Sequence, residues 1–245
     1  MTRQGAASGP SSTSQPVPYR VLLRQRSVWG TSLGHFCGNY AYYFMLTWLP
    51  MLLVREFGFS LAQMAIISGC VFGIQAVSAA VMGWWCDRLI RAGRSANRVL
   101  KTAIISGLVG VSVAMLVCAG AGPRTSVIAM MVASVCIGAQ SAPMNSITQT
   151  LGGRRAAGQW MGVQNLVANL AGVLGPPVTG FLVDTTAGYF WAFVLAAAVT
   201  LVGVLAYGSS SAGWQRLPGL TARHRGPRRY NARIARGRAY ASVCT

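Results

Sequence analysis

The sequence predicts an all-α polytopic membrane protein with six transmembrane helices. Of its 245 residues, 53% are hydrophobic and only 10% are charged, whereas soluble proteins carry about 25% charged residues. The 21 basic and 3 acidic residues all lie outside six uncharged segments of 18 to 27 residues. A helix needs about 20 apolar residues to cross the hydrocarbon layer, so each uncharged segment is long enough to form one span.

The first two predicted spans are Val28–Val54 and Leu61–Trp85. They follow residues 1–27, a segment rich in Ser, Gly and Pro that we predict to be disordered and cytoplasmic, because it lacks an apolar period. This segment also lacks the apolar core of a signal peptide, so the first span is expected to serve as the first insertion signal. Glycines recur every four residues in both spans and predict close contacts between helices. They are Gly30, Gly34 and Gly38, and Gly69 and Gly73.

The remaining predicted spans are Thr102–Ala121, Ser126–Thr148, Trp160–Val183 and Phe190–Tyr207. The third and sixth spans contain no Asn, Gln, His or charged residue, which is typical of helices that face lipid. Residues 208–245 then form an Arg-rich tail that we predict to be disordered and cytoplasmic. Two interpretations of this tail stay open: attraction to anionic lipids, or an adventitious extension from a frameshift or lost stop codon.

The basic residues are distributed asymmetrically. Nineteen of them lie in the two terminal segments and in the connections after the second and fourth spans, against Arg55 and Arg124 on the opposite side. Lys and Arg collect in cytoplasmic loops, so we predict a multi-pass protein of the cytoplasmic (inner) membrane with both termini in the cytoplasm. The net charge of +18 is therefore a signal of topology, and no nucleic-acid partner is expected.

Polar side chains inside the first, fourth and fifth spans are the candidate substrate contacts. In hydrocarbon such groups need an internal partner or a water-filled cavity. A spacing of four residues puts His35, Asn39 and a tyrosine on one face of the first helix, and Asn165 and Asn169 on one face of the fifth. The candidates are His35, Asn39, Tyr42, Tyr43, Gln140, Asn145, Gln164, Asn165 and Asn169. The alternative for each is a structural hydrogen bond between helices.

Two further features are candidate gating elements. Pro176 and Pro177 lie inside the fifth span and remove two N–H donors from its backbone ladder, which predicts either a static kink or a bend that acts as a gate. Asp87, after the second span, is the only acid on the predicted cytoplasmic side and lies among basic residues that include Arg88 and Arg94. A carboxylate beside guanidinium groups predicts a charge-assisted contact that locks adjacent helices.

Enzyme chemistry is not indicated. The six cysteines form no Cys-x-x-Cys spacing and no cluster with histidine, so neither a metal site nor a disulfide framework is expected. The sequence also contains no phosphate-binding loop and no arrangement of nucleophile and base. We therefore predict that the protein is not an enzyme and needs no cofactor.

Three segments carry a family resemblance. The connection GWWCDRLIRAGR, residues 83–94, resembles the cytoplasmic loop signature of the major facilitator superfamily. Residues 34–40 (GHFCGNY) with residues 47–50 (TWLP) resemble helix seven of the anion:cation symporter branch of that family. Residues 158–162 (GQWMG), followed by Asn165, Asn169 and residues 171–176, resemble helix eleven.

The resemblance covers roughly residues 20–207 and implies the C-terminal half of a twelve-helix transporter, with six helices in a 3+3 inverted repeat. It implies a small organic anion as substrate, such as a sugar acid or another carboxylate, usually coupled to protons. The implied cavity residues are Asn39, Tyr42, Tyr43, Gln140, Asn145, Asn165 and Asn169. The implied cytoplasmic gate residues are Asp87, Arg88 and Arg94. No carboxylate lies in any predicted span, which leaves His35 as the only intramembrane group able to change charge.

Three functional hypotheses follow. The favoured one is transport of a small organic anion by a truncated or split secondary transporter, together with a separately encoded N-terminal half. A second is a homodimeric transporter made of two copies of this chain. A third is a non-transporting membrane remnant or a membrane-anchored interaction protein.

Overall fold

The computed structural model describes residues 17–209, apart from the side chain of Arg154. This part of the chain is helical and contains no strand. Its helices are α1 (Tyr19–Leu23), α2 (Arg26–Met51), α3 (Leu61–Arg91), α4 (Ala96–Gly120), α5 (Pro123–Gly153), α6 (Arg155–Thr186) and α7 (Phe190–Ser209). One turn of π-helix, Leu52–Glu56, continues α2.

The helices begin earlier or end later than the predicted spans. Residues 17–27, predicted to be disordered, contain α1 and the start of α2. The predicted connection between the fourth and fifth spans is reduced to a break at Gly153, where φ is 56° and ψ is −173°. Charged and polar residues limit a membrane span but do not end a helix, which explains these differences. The predicted disorder of residues 1–16 and 210–245 lies outside the described residues.

Among the described helices, the five from α3 to α7 are long and apolar enough to cross a membrane. The 26-residue α2 has the length of a span but is more polar, because it carries residues such as His35 and Asn39. It packs against α5, α6 and α7, and half of its residues are buried. A helix surrounded by other helices does not need an apolar surface toward lipid, which accounts for its composition.

Glycines bring α2 close to its neighbours, as predicted. A methyl group at Gly34 would clash with the ring of Tyr207 on α7, and one at Gly38 would lie 3.0 Å from Met144 on α5. The phenyl rings of Phe44 and Phe193 meet edge to face, 5.1 Å between centroids, and add to the packing between α2 and α7.

The glycines of α3 make no such close contact within the described part of the chain. Gly69 and Gly73 have no described neighbour within 4 Å of a Cβ position. Only 6% of the residues in the most apolar stretch of α3 are buried. Its close approach to the bundle occurs further along the helix, where the Ser78 hydroxyl donates to the carbonyl of Val135 on α5 at 2.7 Å.

Candidate functional site

A polar seam lies between α2 and α6. It comprises Thr31, His35 and Tyr43 on α2 and Trp160, Gln164 and Asn169 on α6, and residue numbers rise together along the two helices. The helices therefore run in the same direction, and the seam extends over about 18 Å from Thr31 to Tyr43, at 1.5 Å per residue. The predicted polar faces of the first and fifth spans thus meet each other.

The middle of the seam is a buried hydrogen-bond network. Gln164 Nε2 lies 3.0 Å from His35 Nδ1, and Gln164 Oε1 contacts the hydroxyl of Thr148 on α5. All three side chains are buried. Since the amide donates to Nδ1, a neutral His35 carries its proton on Nε2. The network joins α2, α5 and α6. It would have to open before His35 or Gln164 could contact a substrate, so this contact stays a prediction.

A second buried cluster closes the seam at the start of α2. The Trp160 indole donates to Thr31 Oγ1 at 3.1 Å, and the Tyr207 hydroxyl donates to the Thr31 carbonyl at 3.4 Å. Trp160 and Tyr207 are fully buried. This cluster ties α2 to α6 and α7 and leaves no room for a ligand at this end of the seam.

The other end of the seam is open. The Tyr43 hydroxyl donates to Asn169 Oδ1 at 2.7 Å, and Asn169 Nδ2 donates to the backbone carbonyl of Asn165 at 2.8 Å. Tyr43 is half-buried, whereas Asn165 and Asn169 are exposed. The Tyr43 ring covers Gly172, where a methyl group would lie 2.8 Å from it. The structure therefore brings three predicted site residues together on an accessible surface.

Aromatic and amide side chains extend this open end toward α3. The Tyr42 ring contacts those of Tyr43 and Phe72 edge to face, with centroids 5.3 and 6.4 Å apart. Asn39 is half-buried on α2, four residues before Tyr43. Tyr42 and Asn39, both predicted site residues, therefore lie near the open end, where their donors and acceptors are partly accessible.

The predicted residues of α5 lie in different surroundings. Gln140 is 2% exposed and packs between Gly38 of α2 and Gly107 of α4. Its Oε1 is buried without a hydrogen-bond partner among the described residues, and such an acceptor costs about 1–3 kcal/mol. Asn145 is half-buried and donates within its own helix to the Ser141 carbonyl at 3.3 Å.

The predicted gating residues are placed as follows. Pro176 and Pro177 lie within α6, which keeps helical dihedral angles through them. Asp87 is exposed, its carbonyl accepts from Arg91 Nε at 3.3 Å, and the Arg88 guanidinium lies 5.5 Å from the centre of the Trp84 ring. Within the described part of the chain, no ion pair joins Asp87 to Arg88 or Arg94. Their gating role stays a prediction.

Sequence reasoning missed Thr31, Thr148, Trp160 and Tyr207. A signal for two of them is present, since Thr31 precedes His35 by four residues and Trp160 precedes Gln164 by four. Each extends the same helical face by one turn. Thr148 and Tyr207 leave no comparable pattern, because only the packing of α5 and α7 brings them to the seam.

Long apolar helices packed around a polar seam define a polytopic membrane protein. The pattern of the Major Facilitator Superfamily matches residues 2–176 and 90–229. The chain therefore belongs to the Major Facilitator Superfamily, and the family inferred from the three sequence segments is confirmed. This is a family of transporters and not of enzymes.

Two of the relatives with similar sequences are named as transporters of sugar acids. The hexuronate transporter of Bacillus subtilis (strain 168) is 30% identical over 207 residues, which cover 82% of this chain and 48% of the relative. The probable L-galactonate transporter of Escherichia coli (strain K12) is 27% identical over 77% of this chain and 42% of its own length. The chain thus spans about half the length of these relatives.

Solved structures share the fold. The Escherichia coli fucose:proton symporter superposes with a TM-score of 0.62 at 16% identity, over 78% of this chain and 44% of the symporter. A POT family transporter in complex with a thioalcohol-conjugated peptide gives a TM-score of 0.67 at 15% identity, over 88% of this chain and 45% of the transporter. The predicted fold class, an all-α half of a major facilitator fold, is confirmed.

Proposed function

We propose that the described domain forms one wall of the substrate cavity of a transporter for small organic anions, with a sugar acid as the substrate. The observation that carries the proposal is the open end of the polar seam, where Tyr43, Asn165 and Asn169 are accessible. The names of the relatives, which include hexuronate and L-galactonate transporters, support the substrate class.

The exposure of the two asparagines favours a cavity over a lipid-facing surface. Asn165 and Asn169 lie 10 and 14 residues from the start of the 32-residue α6, which places them about 15 and 21 Å along the helix. An amide at that depth has no hydrogen-bond partner in hydrocarbon. It must therefore face water, substrate or another protein segment.

The chemistry of the open end fits a polyhydroxylated carboxylate. Amides and a phenol offer both donors and acceptors to sugar hydroxyls, and the Tyr43–Asn169 bond can be exchanged for bonds to substrate. The predicted spans contain no Lys or Arg. The cation that balances the substrate carboxylate must then come from outside these six spans.

We assign the supply of this cation to a partner that completes the cavity. In the favoured version the partner is a separately encoded N-terminal half, and in the alternative it is a second copy of this chain. Pseudo-symmetric halves of this fold make both pairings geometrically possible. The largely exposed α3 is consistent with a partner beside it. The same proposal includes proton coupling, with His35 as the titrating group. It also includes a gate formed by Asp87, Arg88, Arg94, Pro176 and Pro177.

Cysteine accessibility tests the cavity. Asn169→Cys in membranes is expected to react with a charged, membrane-impermeant thiol reagent at least tenfold faster than the unsubstituted chain, and glucuronate should slow the reaction. Leu201→Cys is the matched control: Leu201 lies on α7 and is 44% exposed, and a cysteine there should stay unreactive in lipid. Equal rates at the two positions would contradict a water-filled cavity at Asn169.

Binding of ¹⁴C-glucuronate to native membranes that contain the full chain and its partner tests the substrate class. Asn169→Ala and Tyr43→Phe each remove a group that bonds to a substrate hydroxyl, so each should weaken binding about two- to tenfold, since a neutral hydrogen bond contributes about 0.5–1.5 kcal/mol. Asn97→Ala, an exposed asparagine at the start of α4, is the control. Unchanged binding in both seam variants, or an equal loss in Asn97→Ala, would overturn the assignment.

A further inference from the structure

A cleft separate from the polar seam opens between α3 and α4. It has a volume of about 570 Å³ and begins at the connection between the two helices. Arg94 and Arg98 line the end near the connection, while Met82, Trp85 and Leu89 contribute an apolar wall. The cleft exists because α3 packs mainly on α5 and makes few contacts with α4.

The depth of the cleft corresponds to one leaflet of a membrane. Its lining on α4 extends from Arg98 to Ser106, a rise of about 12 Å, and the hydrocarbon layer of one leaflet is about 15 Å thick. Trp84 and Trp85 are 54% and 51% exposed at the same end of α3. Exposed tryptophans mark the membrane–water interface, so Arg94 and Arg98 lie at the level of the lipid headgroups.

A second groove adjoins the first along α4. Its volume is about 370 Å³, and Lys101, Ile105 and Val109 line it together with Arg98 and Ser106, which also line the first cleft. Thr102 also lines both, so Arg98, Thr102 and Ser106 form a shared ridge along α4, and the two grooves lie on either side of this ridge. A molecule with one anionic head and two apolar chains has this shape.

We propose that the two grooves bind one anionic diacyl phospholipid of the cytoplasmic leaflet. Arg94 and Arg98 hold its phosphate, one acyl chain lies along Trp85 and Met82, and the other lies along Ile105 and Val109. Among the described residues, no acidic side chain lines either groove, so net negative headgroups are selected over zwitterionic ones. The apolar walls favour a lipid over a water-soluble phosphate, because burial of its chains adds hydrophobic free energy.

Native mass spectrometry of the purified full chain tests this site with phosphatidylglycerol and phosphatidylcholine as probes. Phosphatidylglycerol should be retained preferentially. Arg94→Gln and Arg98→Gln should each lower the retention of phosphatidylglycerol about fivefold, and the double variant should lower it about 25-fold. Arg91→Gln is the matched control, since Arg91 is exposed on the same side but lines neither groove. Size-exclusion profiles verify that all variants are folded.

A groove-filling variant separates a lipid site from surface charge. Ser106→Trp should block both acyl grooves and reduce phosphatidylglycerol retention at least tenfold while leaving both arginines in place. Glycerol 3-phosphate, which has the head but no chains, should not compete. The proposal would be overturned if Arg91→Gln lost as much phosphatidylglycerol as the groove variants, or if phosphatidylcholine were retained equally. Full retention by Ser106→Trp, or competition by glycerol 3-phosphate, would overturn it as well.

Discussion

The Tyr43 hydroxyl donates to Asn169 Oδ1 at 2.7 Å and joins α2 to α6 at an accessible surface. Two turns earlier on α2, His35 meets Gln164 at 3.0 Å between the same two helices, but that pair is buried. One seam thus contains an accessible pair and a buried pair. The two pairs should respond differently to substitution.

Tyr43→Phe should leave stability nearly unchanged. The ring still covers Gly172, and the exposed Asn169 amide can regain a hydrogen bond from water. The expected change in the free energy of unfolding lies within about 0.5 kcal/mol, as for other substitutions that leave no buried group unpaired. Thermal unfolding in detergent measures it, and a loss of more than 1 kcal/mol would place this pair in a dry interface.

Gln164→Leu should destabilise the protein by about 1–2 kcal/mol. It leaves His35 Nδ1 and the Thr148 hydroxyl without their buried amide partner, and unpaired buried groups lose their solvation. The melting temperature should fall by about 2–8 °C for a chain of this size. Gln149→Leu, at an exposed position of α5, is the control and should melt like the unsubstituted protein. A Gln164→Leu protein with unchanged melting would mean that the network contributes no stability.

The sequence allowed prediction of the helices and of the polar faces, because both follow from local patterns. Uncharged runs mark membrane spans, and four-residue spacing put Asn165 and Asn169 on one face. Which faces are buried depends on contacts between helices far apart in the chain. Gln164 and Asn165 are neighbours of similar chemistry, yet the first is fully buried and the second exposed.

The same limit applies to the glycines. Gly34 and Gly69 both occur in four-residue glycine patterns, but Gly34 contacts a ring of α7 and Gly69 faces open space. A pattern indicates that a close approach is possible, while the partner decides whether it occurs. The break at Gly153 lies inside the connection predicted between the fourth and fifth spans, but the composition gave no signal that a single residue would form it.

Gly34→Ala should destabilise the protein by about 1–3 kcal/mol, the usual cost of overpacking. The new methyl group would clash with the Tyr207 ring, which is fully buried and cannot move aside. Gly69→Ala has free space and should be neutral or stabilising, because alanine has the higher helix propensity. Thermal unfolding compares the two. A double variant with Tyr207→Leu should recover part of the loss, and without any recovery the clash would not be its cause.

Gly153→Ala isolates the backbone requirement at the junction of α5 and α6. A Cβ at Gly153 would meet no atom within 4 Å, so packing does not oppose the substitution. The dihedral angles of 56° and −173° nevertheless belong to a region that residues with a Cβ rarely adopt, at a cost of about 1–3 kcal/mol. Gly158→Ala, five residues later at an equally open helical position, should instead gain up to about 1 kcal/mol. Thermal unfolding should therefore shift in opposite directions for the two variants, and a shift in the same direction would contradict a glycine-specific break between the helices.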